Sequence, residues 1–332
     1  MQFTNEELKT KIQELKDKLS VTVVAHFYQR DEVFEVGDIT GDSLELATRT
    51  RDDDAEFVLF CGVGFMGQSV KVLSPNKRVV MPKIACCAMA SMIDGMQYDN
   101  TVKAMNEVGI KSENILPITY INSDAEVKAK VGEMGGLVCT SSNAKKIITT
   151  ALKEGKKILF VPDRCLGQNI ANQMGLKSCV VGDGSDMNEA DIICFDGFCS
   201  VHQLFTVGDI EFFRKKYKDI LIAVHPECDP AICDASDFVG STSQLIKYIA
   251  DLDPEQKVAV GTEFNMVNRL RPKNTYVLSS TKPECPTMNE TTLKDVYETL
   301  KAIDDGEPIN EIEVDENTQK WAKIALERMM AL

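Results

Sequence analysis

The chain has 332 residues, 44% of them hydrophobic and 27% charged, the profile of a soluble globular protein with material for two or three cores. Its net charge of -14, from 37 Lys and Arg against 51 Asp and Glu, argues against a duplex nucleic acid partner, whose phosphates need a basic face. No apolar run approaches the roughly 20 residues that cross a bilayer, and no basic segment followed by an apolar core marks a signal peptide, so a cytoplasmic protein with no membrane partner is expected.

Residues 1–19 read as a helix. Thr4 and Glu7 fit a capping box, and Leu8, Ile12, Leu15 and Leu19 form one apolar stripe for packing on the body of the protein. Beyond it, short β-branched runs alternate with helical patterns, which indicates parallel βαβ units. The order repeats three times, at a period of roughly 100 residues, the usual size of a domain. The first strands are VTVVAHFY, ILPITYIN and LIAVHPE. The next units end in GDS, TSS and STS, each opening a helix. Third strands follow in FVLFCGVGF, ILFVPD and VAVGTE, each with its own helix, and a fourth strand closes each third. The expected fold class is α/β: three similar three-layer α/β/α domains with parallel sheets, in pseudo-threefold arrangement around a central active site. The expected boundaries are 1–19 for the N-terminal helix, 20–112, 113–215 and 216–300 for the three domains, and 301–332 for a C-terminal helical tail. Ligands of open parallel sheets bind beyond the carboxyl ends of the strands.

Each fourth strand leads to a cysteine. Cys87 follows RVVMP, Cys199 follows DIICFDG and Cys285 follows TYVLSS. The chain has 11 cysteines in all, an odd number without an export signal, which argues against a disulfide framework. Cys61, Cys139, Cys179 and Cys194 lie in apolar strands, where a thiol packs as a small hydrophobe. No C-x-x-C pair occurs, so the compact zinc motifs are excluded. If the thirds pack around a common axis, Cys87, Cys199 and Cys285 converge, and three thiolates from distant segments suggest a metal or an iron–sulfur cluster with one position open.

The three histidines fall near the same ends. His26 and His225 close first strands, and His202 lies three residues past Cys199 in CSVHQ. Histidine is the side chain whose unperturbed pKa suits proton transfer near neutrality. Glu227, two residues beyond His225, is a candidate general base with its pKa raised by burial. Tyr28 and Tyr120 are candidate donors to a developing oxyanion. Ser43, Ser141, Ser241 and Thr242 sit where helices are expected to begin, and helix N-termini bind phosphates and carboxylates. Neither a Walker A sequence nor a dinucleotide fingerprint occurs, so ATP or NAD is not expected as cofactor.

Ten stretches in sequence order, AHFYQ, GDSLELA, GVGFMGQSVKVLSP, VMPKIACCAMASM, YINSDAEVKA, TSSNA, GFCSVHQLF, HPEC, GSTSQLI and CPTMNETTLKDVYETL, resemble the quinolinate synthase family from about residue 20 to the C-terminus. That family condenses iminoaspartate with dihydroxyacetone phosphate to quinolinate, the pyridine precursor of NAD, with loss of phosphate and water. The resemblance implies three α/β domains around a four-iron, four-sulfur cluster held by Cys87, Cys199 and Cys285, the C-A-M-A motif selecting Cys87 over Cys86. It implies substrate and acid–base roles for His26, Tyr28, Ser43, Tyr120, Asn122, Ser141, His225, Glu227, Ser241 and Thr242. Within that set Glu227, with Tyr28 and His26, would move protons, Tyr120 and Asn122 would orient carboxylates, and the open iron would act as Lewis acid. An aspartate oxidase is the partner implied for supplying iminoaspartate. Two departures stand out. Gly64 and Gln68 occupy positions where many relatives carry His and Glu, and Cys285 lacks the C-x-x-C-x-x-C context some relatives have.

Three rival readings share parts of this pattern. A diphthamide-synthesis type of iron–sulfur radical enzyme would have to bind S-adenosylmethionine and a protein substrate, whereas the Ser-rich helix starts and HPE favour small anions. A non-catalytic iron–sulfur sensor would not need Glu227, His225 and the tyrosines. A zinc hydrolase is the third.

Overall fold

The computed structural model describes residues 3–153, 155–270 and 274–331. Helix α1 (Asn5–Lys18) opens the chain, and the capping box expected at Thr4 and Glu7 is formed. The first sheet follows as β1 (Val21–His26), α2 (Asp31–Phe34), β2 (Ile39–Gly41), α3 (Ser43–Arg51), β3 (Phe57–Cys61), α4 (Gly64–Leu73) and β4 (Arg78–Val80). Next come α5 (Gly95–Glu107), β5 (Ile115–Tyr120), α6 (Ala125–Glu133), β6 (Leu137–Cys139), α7 (Ala144–Leu152), β7 (Lys157–Val161), α8 (Arg164–Met174), β8 (Ser178–Val180) and β9 (Ile192–Cys194). The third set is α9 (Val207–Lys216), β10 (Leu221–Val224), α10 (Pro230–Asp234), β11 (Phe238–Val239), α11 (Thr242–Asp251), β12 (Val258–Gly261), α12 (Phe264–Arg269) and β13 (Thr275–Val277). Two helices end the chain, α13 (Leu293–Asp304) and α14 (Glu316–Met330).

All three sheets are parallel, and they share one strand order: β2-β1-β3-β4, β6-β5-β7-β9-β8 and β11-β10-β12-β13. The α/β class with three parallel sheets, read from the repeat, is therefore the observed one. The one addition is β8, three residues that extend the second sheet past β9. Its sequence, Ser-Cys-Val, is too short to carry a periodic signal. Central strands β1 and β5 are buried at every residue. This is why they read as continuous apolar runs rather than alternating ones.

The chain forms two compact units, residues 3–87 with 284–316, and residues 88–283 with 317–331. In the first, α1 and α13 cover one face of the first sheet, and Leu8, Ile12, Val23, Leu59, Val296 and Leu300 share a core. A 14-residue helix is marginal in water by itself. Burying Leu8 and Ile12, each worth about 1.5–3 kcal/mol, is what holds α1. In the second unit, separate cores lie around Ile115, Leu159 and Ile193 and around Ile222, Val224 and Leu278. Helix α14 belongs there: Arg328 donates to the carbonyls of Gly132 and Gly136 at 3.0 and 2.8 Å.

Candidate active site

The threefold repeat is sharpest just past the strands. Cys87, Cys199 and Cys285 each precede by three residues a short 3₁₀ turn, at Ala90–Met92, His202–Leu204 and Met288–Glu290. A capping box then follows each turn, on Asp94, Thr206 and Thr292, and each starts a helix eight residues after its cysteine. The three thiols thus occupy one structural position in three copies. Their exposure sets them apart as well. All three are half-buried, Cys86 is exposed, and the other seven are buried. None forms a disulfide. Burial pushes the thiols of Cys61, Cys139, Cys194 and Cys228 well up, which suits packing and not ligation.

Cys87 is the last residue of the first unit, and Cys285 lies one residue past the point where the chain re-enters it. The Cys285 Sγ is 3.4 Å from Thr287 Oγ1. Cys199 belongs to the second unit, on a loop with several anchors. Gly197 bridges Asp163 and donates to the Pro162 carbonyl at 3.1 Å, and the Arg164 guanidinium lies 4.6 Å over the Phe198 ring. A Cβ at Gly197 would sit 2.5 Å from the Pro162 carbonyl oxygen, so only glycine permits this approach.

The first strands of the repeats end alike. His26 and Tyr120 are the last residues of β1 and β5, and His225 is the first beyond β10. The carbonyls of His26 and His225 each accept from the amide three residues on, at 3.0 Å, and the Tyr120 carbonyl accepts from Ser123 Oγ at 3.0 Å. The Nδ1 atoms of His26 and His225 accept from the amides of Tyr28 and Glu227 at 3.1 and 3.3 Å. Each ring therefore carries its proton on Nε2 when neutral. Tyr28, Asn122 and Glu227 share the position two residues further, so the counterpart of Tyr120 is His26 and not Tyr28. In the first unit the His26 ring meets Tyr28 edge-on, 4.8 Å between centroids.

In the second unit these ends build a buried polar cluster on Glu227, whose exposure is 3%. The Tyr120 hydroxyl donates to Glu227 Oε1 at 2.6 Å, and His202 Nδ1 lies 3.0 Å from Oε2. His202 stacks on His225 at 4.6 Å, and its Nε2 is 3.1 Å from Thr262 Oγ1. Asn169 of α8 holds the loop itself, donating through Nδ2 to the carbonyls of Pro226 and Cys228, both at 2.8 Å, one on each side of Glu227. Burial by itself would raise the Glu227 carboxyl, as the sequence suggested. The imidazoles of His225 and His202 and the Tyr120 hydroxyl outweigh it, so the carboxyl stays below the usual range and ionised. Asp163 goes the other way. Burial, then the charge of Glu227, raises it well above the usual carboxylate value. Its Oδ1 accepts from Leu166 at 2.9 Å while Oδ2 is buried without a hydrogen-bond partner, as fits a protonated acid. Two carboxyls pushed in opposite directions are what acid–base chemistry at one pH requires.

The Ser/Thr positions are less uniform than their motifs. Ser43 is the first residue of α3, whose cap is Asp42, accepting from Leu44 and Glu45 at 3.1 and 3.0 Å. Ser241 is the cap of α11, in a box with Gln244, and Thr242 is that helix's first residue. Ser141 lies in a turn, two residues ahead of the cap Asn143 of α7, and not at the helix start. Its neighbour Asn143 accepts from the Thr140 amide at 2.7 Å. Gly64 opens α4, and a side chain there would meet only the Ala85 carbonyl at 3.6 Å and Ile84 at 3.9 Å. Sequence reading missed Asn169, Thr262 and Asp163. The signal for Asp163 was present, since Val63, Asp163 and Glu263 cap equivalent helices 100 residues apart.

A parallel α/β protein with a buried carboxylate, a tyrosine and two imidazoles at the strand ends, and three half-buried thiols in repeated positions, has the makings of an enzyme. Residues 10–331 match the family model described as Quinolinate synthetase A protein. Relatives named quinolinate synthase include one from Helicobacter pylori, 54% identical with 99% of each chain covered. Others come from Streptomyces coelicolor, 38% identical over 98% of this chain and 88% of that one, and Listeria innocua, 39% identical over 99% and 95%. The chain belongs to the quinolinate synthase family.

Proposed function

We propose that this chain makes quinolinate from iminoaspartate and dihydroxyacetone phosphate, releasing phosphate and water, as a step of NAD synthesis in the cytoplasm. An aspartate oxidase would supply the unstable imine. The observation that carries the reading is the buried Glu227, in contact with Tyr120 at 2.6 Å and His202 at 3.0 Å.

Joining the two substrates requires protons to leave carbon and reach departing oxygens. Glu227, already deprotonated, can take a proton without first losing one. The Tyr120 hydroxyl can turn from Glu227 to a substrate carboxylate, and Asn122 lies two residues beyond it for the same purpose. His225, with Nδ1 occupied by its own backbone, presents Nε2 as its exchanging atom. Ser241 and Thr242, at the start of α11, support binding of an anionic group with their hydroxyls at the positive end of that helix. Ser141 would add a hydroxyl from its turn, and in the first unit His26, Tyr28 and Ser43 have the corresponding roles. A four-iron, four-sulfur cluster fits the donor set, since Cys87, Cys199 and Cys285 are equivalent, accessible thiols, and when bound it would supply a Lewis-acidic iron.

Purification without oxygen, iron and sulfide assay, and incubation with both substrates test this. Brown protein that bleaches in air and yields quinolinate is expected. Iron-loaded protein that forms none overturns the reading.

A further inference from the structure

Of the three cysteine turns, one places an imidazole three residues past its cysteine. The residue three past the cysteine is Ala90 in the first, Met288 in the third and His202 in the second. The C-x-x-H pair so formed faces Glu227. The donor atoms of Cys199, His202 and Glu227 all lie within 4.8 Å of one another. Among the described residues they are the one such group of three. The geometry points to a mononuclear site for a borderline divalent metal, Zn²⁺ or Fe²⁺, formed by these three residues when the protein carries no iron–sulfur cluster.

The reasoning starts at His202. Its exposure is 1%, and its Nδ1 is buried with no hydrogen-bond partner. Glu227 Oε2 is 3.0 Å away but not aligned with an Nδ1–H bond, so the contact is close without being a hydrogen bond. A buried polar atom left so is costly unless something else meets it. In the neutral tautomer whose Nε2–H donates to Thr262 Oγ1, 3.1 Å away, Nδ1 presents a lone pair that a metal can take in place of the proton it otherwise turns toward Glu227. A ring nitrogen held by such a partner is how protein-bound metals fix their histidines. Two donors 3.0 Å apart, each about 2.1 Å from one ion, subtend about 90° there, within reach of a distorted tetrahedron. The thiolate, at about 2.3 Å from the ion, completes three ligands after a side-chain shift of about 1 Å and leaves a fourth position for water. Binding forms one metal–sulfur, one metal–nitrogen and one metal–oxygen bond, releases the Cys199 thiol proton to solvent and transfers no electron.

A consequence rests on the proposed function. If Cys199 is also a cluster ligand, the single metal and the cluster compete for one sulfur. Zinc would then hold the enzyme in a form that cannot assemble its cluster.

The test is anaerobic titration of the full, cluster-free chain with Co²⁺, read by thiolate-to-cobalt charge transfer, with Zn²⁺ as competitor. One equivalent should bind and Zn²⁺ should displace it. Cys199→Ser should abolish the band. His202→Ala and Glu227→Gln should each weaken binding tenfold or more, with circular dichroism confirming the fold, while Cys87→Ser and Cys285→Ser should leave it unchanged. No binding, equal loss in Cys87→Ser, or an unaltered band in all three ligand variants overturns the site. Iron–sulfur reconstitution after Zn²⁺ loading tests the competition by itself. Full reconstitution with zinc still bound would remove Cys199 from the cluster and leave the mononuclear site standing.

Discussion

The turns that end β1 and β10 are built alike and used differently. His26-Phe27-Tyr28 and His225-Pro226-Glu227 share the carbonyl contact to the third residue on and the amide contact to Nδ1. In the first, the side chain two past the histidine is a half-buried tyrosine touching that imidazole's edge. In the other it is a carboxylate, 3% exposed, surrounded by Tyr120, His202 and a clamp from Asn169. Repetition of the backbone device supplies equivalent places for side chains. Divergence at the second position decides which copy keeps a carboxylate out of water.

The strongest way to break this contrast is Glu227→Gln. The amide keeps the shape and removes the base, so turnover should fall by about 10²–10⁴-fold while iron content holds. Quinolinate formation per iron measures it, and near-normal turnover would strip the β10 turn of its special status. Next is Asn169→Ala, which orphans the carbonyls of Pro226 and Cys228. At about 1–3 kcal/mol for each buried acceptor, the urea midpoint should drop clearly and turnover should fall with it. Unchanged stability would mean the Glu227 loop holds itself.

Lys128 gives a third, smaller effect. It is 0% exposed on α6, and burial lowers its ammonium to about 7 against the partial opposition of Asp124. The unfolded chain, with an ordinary lysine, binds more protons between about pH 7 and about 10, so stability should rise with pH across that window. Lys128→Met should flatten the rise, and denaturation midpoints at the two ends of the window decide it. The smallest effect belongs to the first unit. Gly64→Ala adds a Cβ that would meet only the Ala85 carbonyl and Ile84 at ordinary contact distance, so stability should change by no more than about 0.5 kcal/mol, read as the melting temperature. A collapse would show that this position is closed.

Much of the fold was legible because parallel strands buried on both faces are written as unbroken apolar runs, and because the plan is written three times. The N-terminal helix was legible through Thr4, Glu7 and its stripe. Ser141 misled because a Ser-Ser-Asn stretch offers several caps, and the backbone chose Asn143. The strand β8 escaped because three residues hold no period. Glu227 was found, but the direction of its shift was not, since the sequence shows His225 two residues away but not that His202, 25 residues away, and Tyr120, 107 residues away, also meet the carboxyl.

By itself, the sequence determined the residue types at each strand end and their repetition: three cysteines, two strand-end histidines and one carboxylate at equivalent offsets. Those follow from spacing along the chain, which the backbone geometry of a strand, a turn and a capped helix preserves. Only the tertiary structure decided that Asn169 grips the loop of Glu227, that His202 stacks on His225, and that burial raises Asp163 while the imidazoles lower Glu227. Such relations join residues far apart in the chain, and their energies depend on distance and burial, which no local pattern records.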